Sequence, residues 1–349
     1  MSISCRADAF RYGQWEPSSA AASPRGMACA NYSYVNASCG TRPLSSASLC
    51  EALHDGSSAP LLLMVGDSLM LKMWESLMFY VGGRPHYDLE DCKSPLKQVE
   101  AASSDHKRPK AKRRLRGGKI GCEPCCCKAY SIQCGAGRAP IRVRFVRHNH
   151  LIGDFLPHGG AACPKCAKEG EESSACIACR KILDARVNCV VWREPDSLKH
   201  ATTLLLGTGS HLLEVPNNTV SGTFERRAEE LAAFLDGQKH GKVIYMLSPW
   251  GEKEHHQGFS GPTEAAPPDA MYSWDRIPSV NAEYQKAMRA KGFAVIDPTL
   301  ALTQRKDCRF DYMHSMHGVY AQSAWKMVVA AGQQNLERCP PKSSLNIFS

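Results

Sequence analysis

Hydrophobic positions along this chain of 349 residues form short runs, separated by polar stretches rich in glycine and proline. Leu61-Leu-Leu-Met-Val65 is apolar throughout and stops at Gly66, the pattern of a strand buried on both faces of a parallel sheet. Leu69 to Tyr80 lacks proline and glycine and carries an apolar face, which predicts a helix. Ile141-Arg-Val-Arg-Phe-Val146 alternates and predicts a strand with one polar face. Cys189 to Trp192 and Thr202 to Leu206 read as further strands, the second running into Gly207-Thr-Gly-Ser-His211. Phe224, Ala228, Leu231 and Leu235 recur at helical spacing, and Gly237 to Gly241 ends that helix. Val243 to Leu247 is a strand stopped by Ser248-Pro249. Val280 to Lys291 is a helix stopped by Gly292, and Phe293 to Ile296 is a strand ending at Asp297-Pro298. Val319 to Ala331 reads as one closing amphipathic helix. Strands alternating with helices predict an α/β fold with helices on both faces of a parallel sheet.

The periodicity is missing elsewhere, and that sets the expected organisation. Residues 1–59 read as a loop-rich N-terminal cap stapled by cysteines, and 60–335 as the sheet-bearing domain. That domain carries a basic, cysteine-rich insertion at 91–140 and a second cysteine-rich insertion at 157–186; a tail follows at 336–349. A composition of 43% hydrophobic and 22% charged residues can build a core and excludes a wholly disordered chain. The apolar runs are too short for a membrane-spanning helix. The net charge of +9 is mostly local, because eight Lys and Arg crowd between His106 and Lys119 without an acid. The rest is nearly neutral, so a protein-wide nucleic-acid surface is not expected. The basic run has no interleaved aromatics for base stacking and reads as a solvated insertion.

Candidate chemistry begins at Gly66-Asp-Ser-Leu69, where the first strand turns into a helix. A serine there lies at the carboxyl edge of a parallel sheet, where such folds place ligands. The helix N-terminus also offers N–H groups to an anion beside the hydroxyl. The plain alternative is that Ser68 merely caps the helix. A nucleophilic serine needs a base, and Asp311-Tyr-Met-His314 follows the last strand. There His314 would take the proton of Ser68 and Asp311 would orient the imidazole, with His317 as a rival base.

The early GDSL and late D-x-x-H resemble the SGNH (GDSL) hydrolases, and more closely the PC-esterase branch that includes the trichome-birefringence-like polysaccharide O-acetyltransferases. Tyr12-Gly-Gln-Trp15 resembles that branch's G-x-W element. Leu63 to Leu69 with Trp74-Glu-Ser-Leu77 resembles its V-G-D-S-L…E-S-L segment, and Leu204 to His211 its T-G-H turn. Ala294 to Thr299, leading to Asp311 and His314 and then Trp325, resembles its final block. Departures are plain: the turn reads Thr208-Gly-Ser-His211 with one residue inserted, Ser-Met-His-Gly follows the D-x-x-H, and no G-x-N-D block exists. The resemblance implies a flavodoxin-like three-layer sandwich and a Ser68–His314–Asp311 triad. It further implies O-acetyl transfer to, or removal from, carbohydrate hydroxyls, with transfer favoured. Gly209 and Ser210 stand as oxyanion donors. The implied partners are a polysaccharide or glycoprotein glycan and an acetyl donor, such as acetyl-CoA-derived acetyl groups delivered by a membrane protein. The alternatives are an inactive glycan-binding protein of the same fold and a zinc-bearing interaction protein.

The zinc alternative rests on Cys163-x2-Cys166 and Cys176-x2-Cys179, four thiolates that would close one structural site. Seventeen cysteines and the sequons at Asn31, Asn36 and Asn217 point instead to disulfides and the secretory pathway, in the Golgi lumen or outside the cell. The first 25 residues lack an apolar signal segment, so that location requires an upstream signal or anchor; the alternative is cytoplasmic.

Overall fold

The computed structural model describes residues 13–17, 32–35, 44–54, 56–81, 86–87, 128–151, 190–193, 195–213, 223–249, 274–309 and 314–334. The chain opens with an antiparallel pair, β1 (Gln14–Pro17) and β2 (Tyr32–Val35), followed by helix α1 (Ser46–Leu53). Ser45 and Ser48 form a reciprocal capping box that starts α1. Then come β3 (Leu61–Gly66), α2 (Ser68–Val81), β4 (His86–Tyr87), β5 (Lys128–Ile132) and β6 (Ile141–Arg147). A 3-10 turn (Val190–Arg193) leads through α3 (Pro195–Lys199) to β7 (Thr203–Gly207), α4 (Thr223–Asp236) and β8 (Lys242–Met246). The chain closes with α5 (Ile277–Ala290), β9 (Ala294–Ile296), α6 (Thr299–Gln304), α7 (His317–Gln322) and α8 (Ala324–Gln334).

The sheet order is β4-β5-β6-β3-β7-β8-β9. β6, β3, β7, β8 and β9 are parallel, whereas β5 and β4 add antiparallel strands at the β6 edge. Counting only the parallel strands in chain order gives 2-1-3-4-5, the flavodoxin-like doubly wound order. Both faces are covered. Leu62 and Met64 of β3 bury with α1, α2, α7 and α8 on one side. Leu63 and Val65 bury with α4 and α5 on the other. A strand apolar at every position needs two such layers, so the α/β expectation holds.

Three local expectations change. Val190–Arg193 is a 3-10 turn, not a strand. Its apolar run serves to seat one ring: Trp192 is buried edge-on to Phe234 at 5.8 Å and to His148 at 6.0 Å. Pro195 then opens the next helix. The closing helix is two helices, because the chain leaves helical geometry at Ser323, whose hydroxyl donates back to Val319 O at 2.6 Å. Residues 128–132, within the stretch expected as an insertion, form a full strand of the sheet. The N-terminal cap holds regular structure, and its Cys50 is disulfide-bonded to Cys134 beyond β5, which ties α1 to the sheet. Among the described residues, no helix is long and apolar enough to cross a membrane.

Candidate active site

In a 2-1-3-4-5 sheet the strand order reverses between the first and third parallel strands, here β3 and β7. Ligands of such folds bind outside the carboxyl ends at that point. Gly66 of β3 and Gly207 of β7 are paired in register there. The pairing is close: a Cβ on Gly66 would lie 2.1 Å from Gly207 O and 2.8 Å from Met70 Cβ. Met70 sits in the first turn of α2, so two facing glycines let that helix begin directly over the strand ends.

Asp67 follows Gly66 and is buried. Its Oδ1 accepts from Leu69 N–H at 3.0 Å. Asp67 therefore does the capping that Ser68 was weighed for, and the Ser68 hydroxyl is directed elsewhere. Ser68 Oγ lies 2.8 Å from His314 Nε2, across 246 positions of sequence. That is hydrogen-bond range for a nucleophile and its base.

His314 is held by a closed loop. Arg309 and Ser315 form an isolated antiparallel bridge, and Met316 N–H donates to Cys308 O at 2.7 Å. Cys308 is buried and disulfide-bonded to a cysteine outside the described residues. Arg305 makes a two-point contact with Asp307 at 2.9 and 2.8 Å, which holds the Asp307 carboxyl below its ordinary pKa. The Arg305 guanidinium also stacks over Tyr32 at 4.1 Å and Trp15 at 5.4 Å. Trp15 Nε1 donates to Ala301 O at 3.0 Å. The β1–β2 hairpin thus braces the segment that leads to His314.

His317, the rival base, is engaged elsewhere, with its Nε2 3.2 Å from Glu75 Oε2. Gly209 stands two residues past Gly207, the last residue of β7 and the partner of Gly66, so it lies at the carboxyl edge of the sheet. A Cβ on Gly209 would strike Ser248 at 2.4 Å. Of Ser210, only its place in the 3-10 turn Ser210–Leu213 is described. The strand ends are cross-tied. Thr208 Oγ1 donates to Asn149 O, Tyr245 OH donates to Thr208 O at 3.2 Å, and Asn281 clamps Ser248 through bonds of 3.0 and 2.9 Å.

Arg147-His148-Asn149-His150, which belongs to none of the motifs above, is a polar run at the carboxyl end of β6 beside the site. His148 N–H donates to Gly66 O at 2.8 Å. Its buried ring lies 3.1 Å from Arg193 Nη2. Burial first, then the charges of Arg193 and His150, push its pKa well below the ordinary value, so His148 is neutral and accepts from Arg193. A polar run at the end of a clean strand was the available signal. Asp311, the sequon residues Asn31, Asn36 and Asn217, the four cysteines Cys163, Cys166, Cys176 and Cys179, and the basic run lie outside the described residues.

No family model matches the chain, and no curated protein matches it. Among solved structures it is similar to Est24, a carbohydrate acetylesterase from Sinorhizobium meliloti, at 11% identity and a TM-score of 0.36, over 79% of this chain and 98% of that one. It is also similar to a peptidoglycan O-acetylesterase at 10% identity and a TM-score of 0.39, over 83% of this chain and 95% of that one. Likeness at this level carries no chemistry across, so function is argued from the residues themselves.

Proposed function

We propose that the chain performs serine-dependent acyl-ester chemistry, with Ser68 as nucleophile and His314 as general base and acid. The contact of 2.8 Å between them, at the switch point of the sheet, carries this reading. His314 takes the hydroxyl proton as Ser68 Oγ attacks the ester carbonyl. It then returns that proton to the departing alkoxide, which leaves an acyl-Ser68. An acceptor hydroxyl loses its proton to His314 and attacks the acyl carbon, and His314 returns that proton to Ser68 Oγ as the acyl–serine bond breaks. Asp311 orients the imidazole. The N–H groups of Gly209 and Ser68 stabilise the oxyanion, since that of Leu69 is held by Asp67. A sugar acceptor makes the chain an O-acetyltransferase; water makes it an acetylesterase. The G-x-W, GDSL and late D-x-x-H elements favour transfer to a polysaccharide or glycoprotein glycan, with an acetyl group from a donor partner. The Cys50–Cys134 and Cys308 disulfides support a place in the secretory pathway.

The test is intact-mass analysis after incubation with an activated acetyl ester. The wild type gains one acetyl group on the peptide holding Ser68, and Ser68→Ala gains none there. An alanine variant acetylated at the same peptide removes Ser68 as nucleophile. Adding an oligosaccharide acceptor then separates the outcomes, because transfer moves the label to the sugar and hydrolysis releases acetate.

A further inference from the structure

Helix α2 begins at the nucleophile and presents one stripe beyond it. Ser68, Lys72, Glu75 and Phe79 are spaced by four, three and four residues, which aligns them on a single helix face. The segment carrying the base runs beside the same stripe in the same direction. His314 meets Ser68, and three residues later His317 meets Glu75 and Phe79. Lys72 Nζ donates to Glu75 Oε2 at 2.7 Å, and His317 Nε2 lies 3.2 Å from the same oxygen. The Phe79 and His317 rings are 4.8 Å apart and inclined by 33°. Phe79 is 49% exposed and, with Tyr32, is one of two large hydrophobic side chains left exposed among the described residues.

We propose that this stripe is a glycan subsite, in which Phe79 and His317 stack on the C–H face of a sugar and the Glu75–Lys72 pair hydrogen-bonds its hydroxyls. This rests on the acyl-ester reading and deepens it, because the occupant is the same carbohydrate chain whose hydroxyl meets Ser68. The ingredients match that ligand. An exposed ring suits the weakly polar face of a pyranose, and charged groups fixed beside it suit its equatorial hydroxyls. From Ser68 to Phe79 the helix axis advances about 16 Å, so the ring lies several sugar units from the reacting ester and meets only an extended chain. The stripe therefore selects for polymer length and leaves the chemistry at Ser68 to His314.

The experiment compares O-acetylated β-1,4-linked oligosaccharides of rising length, with kcat/KM normalised to that for an aryl acetate. In the wild type the normalised value climbs with length. In Phe79→Ala the climb is lost, with a fall of about 3- to 10-fold at the longest substrate, expressed mainly in KM; Phe79→Trp restores it. A Phe79→Ala enzyme that keeps the wild-type length dependence, or loses equally at every length, overturns the subsite. A separate arm measures binding of the longest oligosaccharide to Ser68→Ala by calorimetry. Weakening there by a second Phe79→Ala change supports the subsite even if the wild type turns over no ester, an outcome that would sink the acyl-ester reading alone. Equal binding by both proteins overturns the subsite.

Discussion

Replacing Gly66 with alanine tests how the sheet sets the position of Ser68, the proposed nucleophile. The added Cβ would lie 2.1 Å from Gly207 O and 2.8 Å from Met70 Cβ. Both are backbone or backbone-proximal atoms that cannot swing aside, so β3 and β7 must separate where they are paired, or α2 must lift. Overpacking of this kind costs about 1–3 kcal/mol, and a backbone clash falls at the upper end. Gly207→Ala points to the same face but meets softer neighbours. Its Cβ would meet Met70 Cε at 2.7 Å, the tip of a flexible side chain, and Met246 O only at 3.2 Å. That change should cost about 1 kcal/mol, the low end of the same range. The two also differ in function, because Gly66→Ala shifts Ser68 against His314, and a misplacement of about 1 Å can cost on the order of 100-fold in rate. Denaturant unfolding and aryl acetate turnover read both quantities. Equal losses of stability for Gly66→Ala and Gly207→Ala, or a Gly66→Ala enzyme of full activity, would refute the reasoning.

Further outcomes follow from other contacts. Replacing Cys50 and Cys134 with serine opens a loop of 84 residues and should destabilise the fold by about 4.5 kcal/mol by chain entropy, read as a lower denaturant midpoint; an unchanged midpoint would refute it. Asp67→Ala removes the cap on Leu69 N–H and should cost about 1 kcal/mol, more than Ser68→Ala, which caps nothing; the reverse order in thermal unfolding would sink the assignment of the cap. Burial lowers the pKa of Lys326 from 10.5 to about 8. Above pH 8 the unfolded chain binds more protons than the native one there, so this lysine makes stability rise from pH 8 towards 10.5. Lys326→Met should abolish that rise, and a variant with the wild-type pH slope would argue against it.

The strands were legible because a two-sided sheet demands uninterrupted apolar runs, as at Leu61 to Val65 and Val243 to Leu247. The position of Ser68 was legible for the related reason that Gly-Asp-Ser-Leu stands where such a run ends. What escaped depends on tertiary contact. β5 reads Lys-Ala-Tyr-Ser-Ile amid cysteines, and its strand state comes from pairing with β6. The apolar run at 190–192 looks like a strand, yet its use is to seat the Trp192 ring. The break at Ser323 is a side-chain bond that helical periodicity cannot register. The choice between His314 and His317 was open in sequence, since both follow Asp311 at short range. Glu75, on a distant helix, occupies one and leaves the other to Ser68.

Topology explains why the partner of Ser68 comes from the far end of the chain and why the N-terminal hairpin belongs to the site. The first strand of a 2-1-3-4-5 sheet is internal, so whatever follows it stands at the switch point, and Ser68 needs nothing more to be placed. The last strand, β9, lies at the opposite edge, three strand spacings from β3, or about 14 Å. After β9 the chain must recross the carboxyl edge without a ladder to guide it, and ordering free backbone costs about 1–2 kcal/mol per residue. The return path is fixed by substitutes for a ladder: the Arg305–Asp307 pair, the Cys308 disulfide and the Arg309–Ser315 bridge. Two of the rings that hold Arg305, Trp15 and Tyr32, come from β1 and β2. A hairpin that adds no strand to the main sheet thus supplies part of the energy that keeps His314 2.8 Å from Ser68.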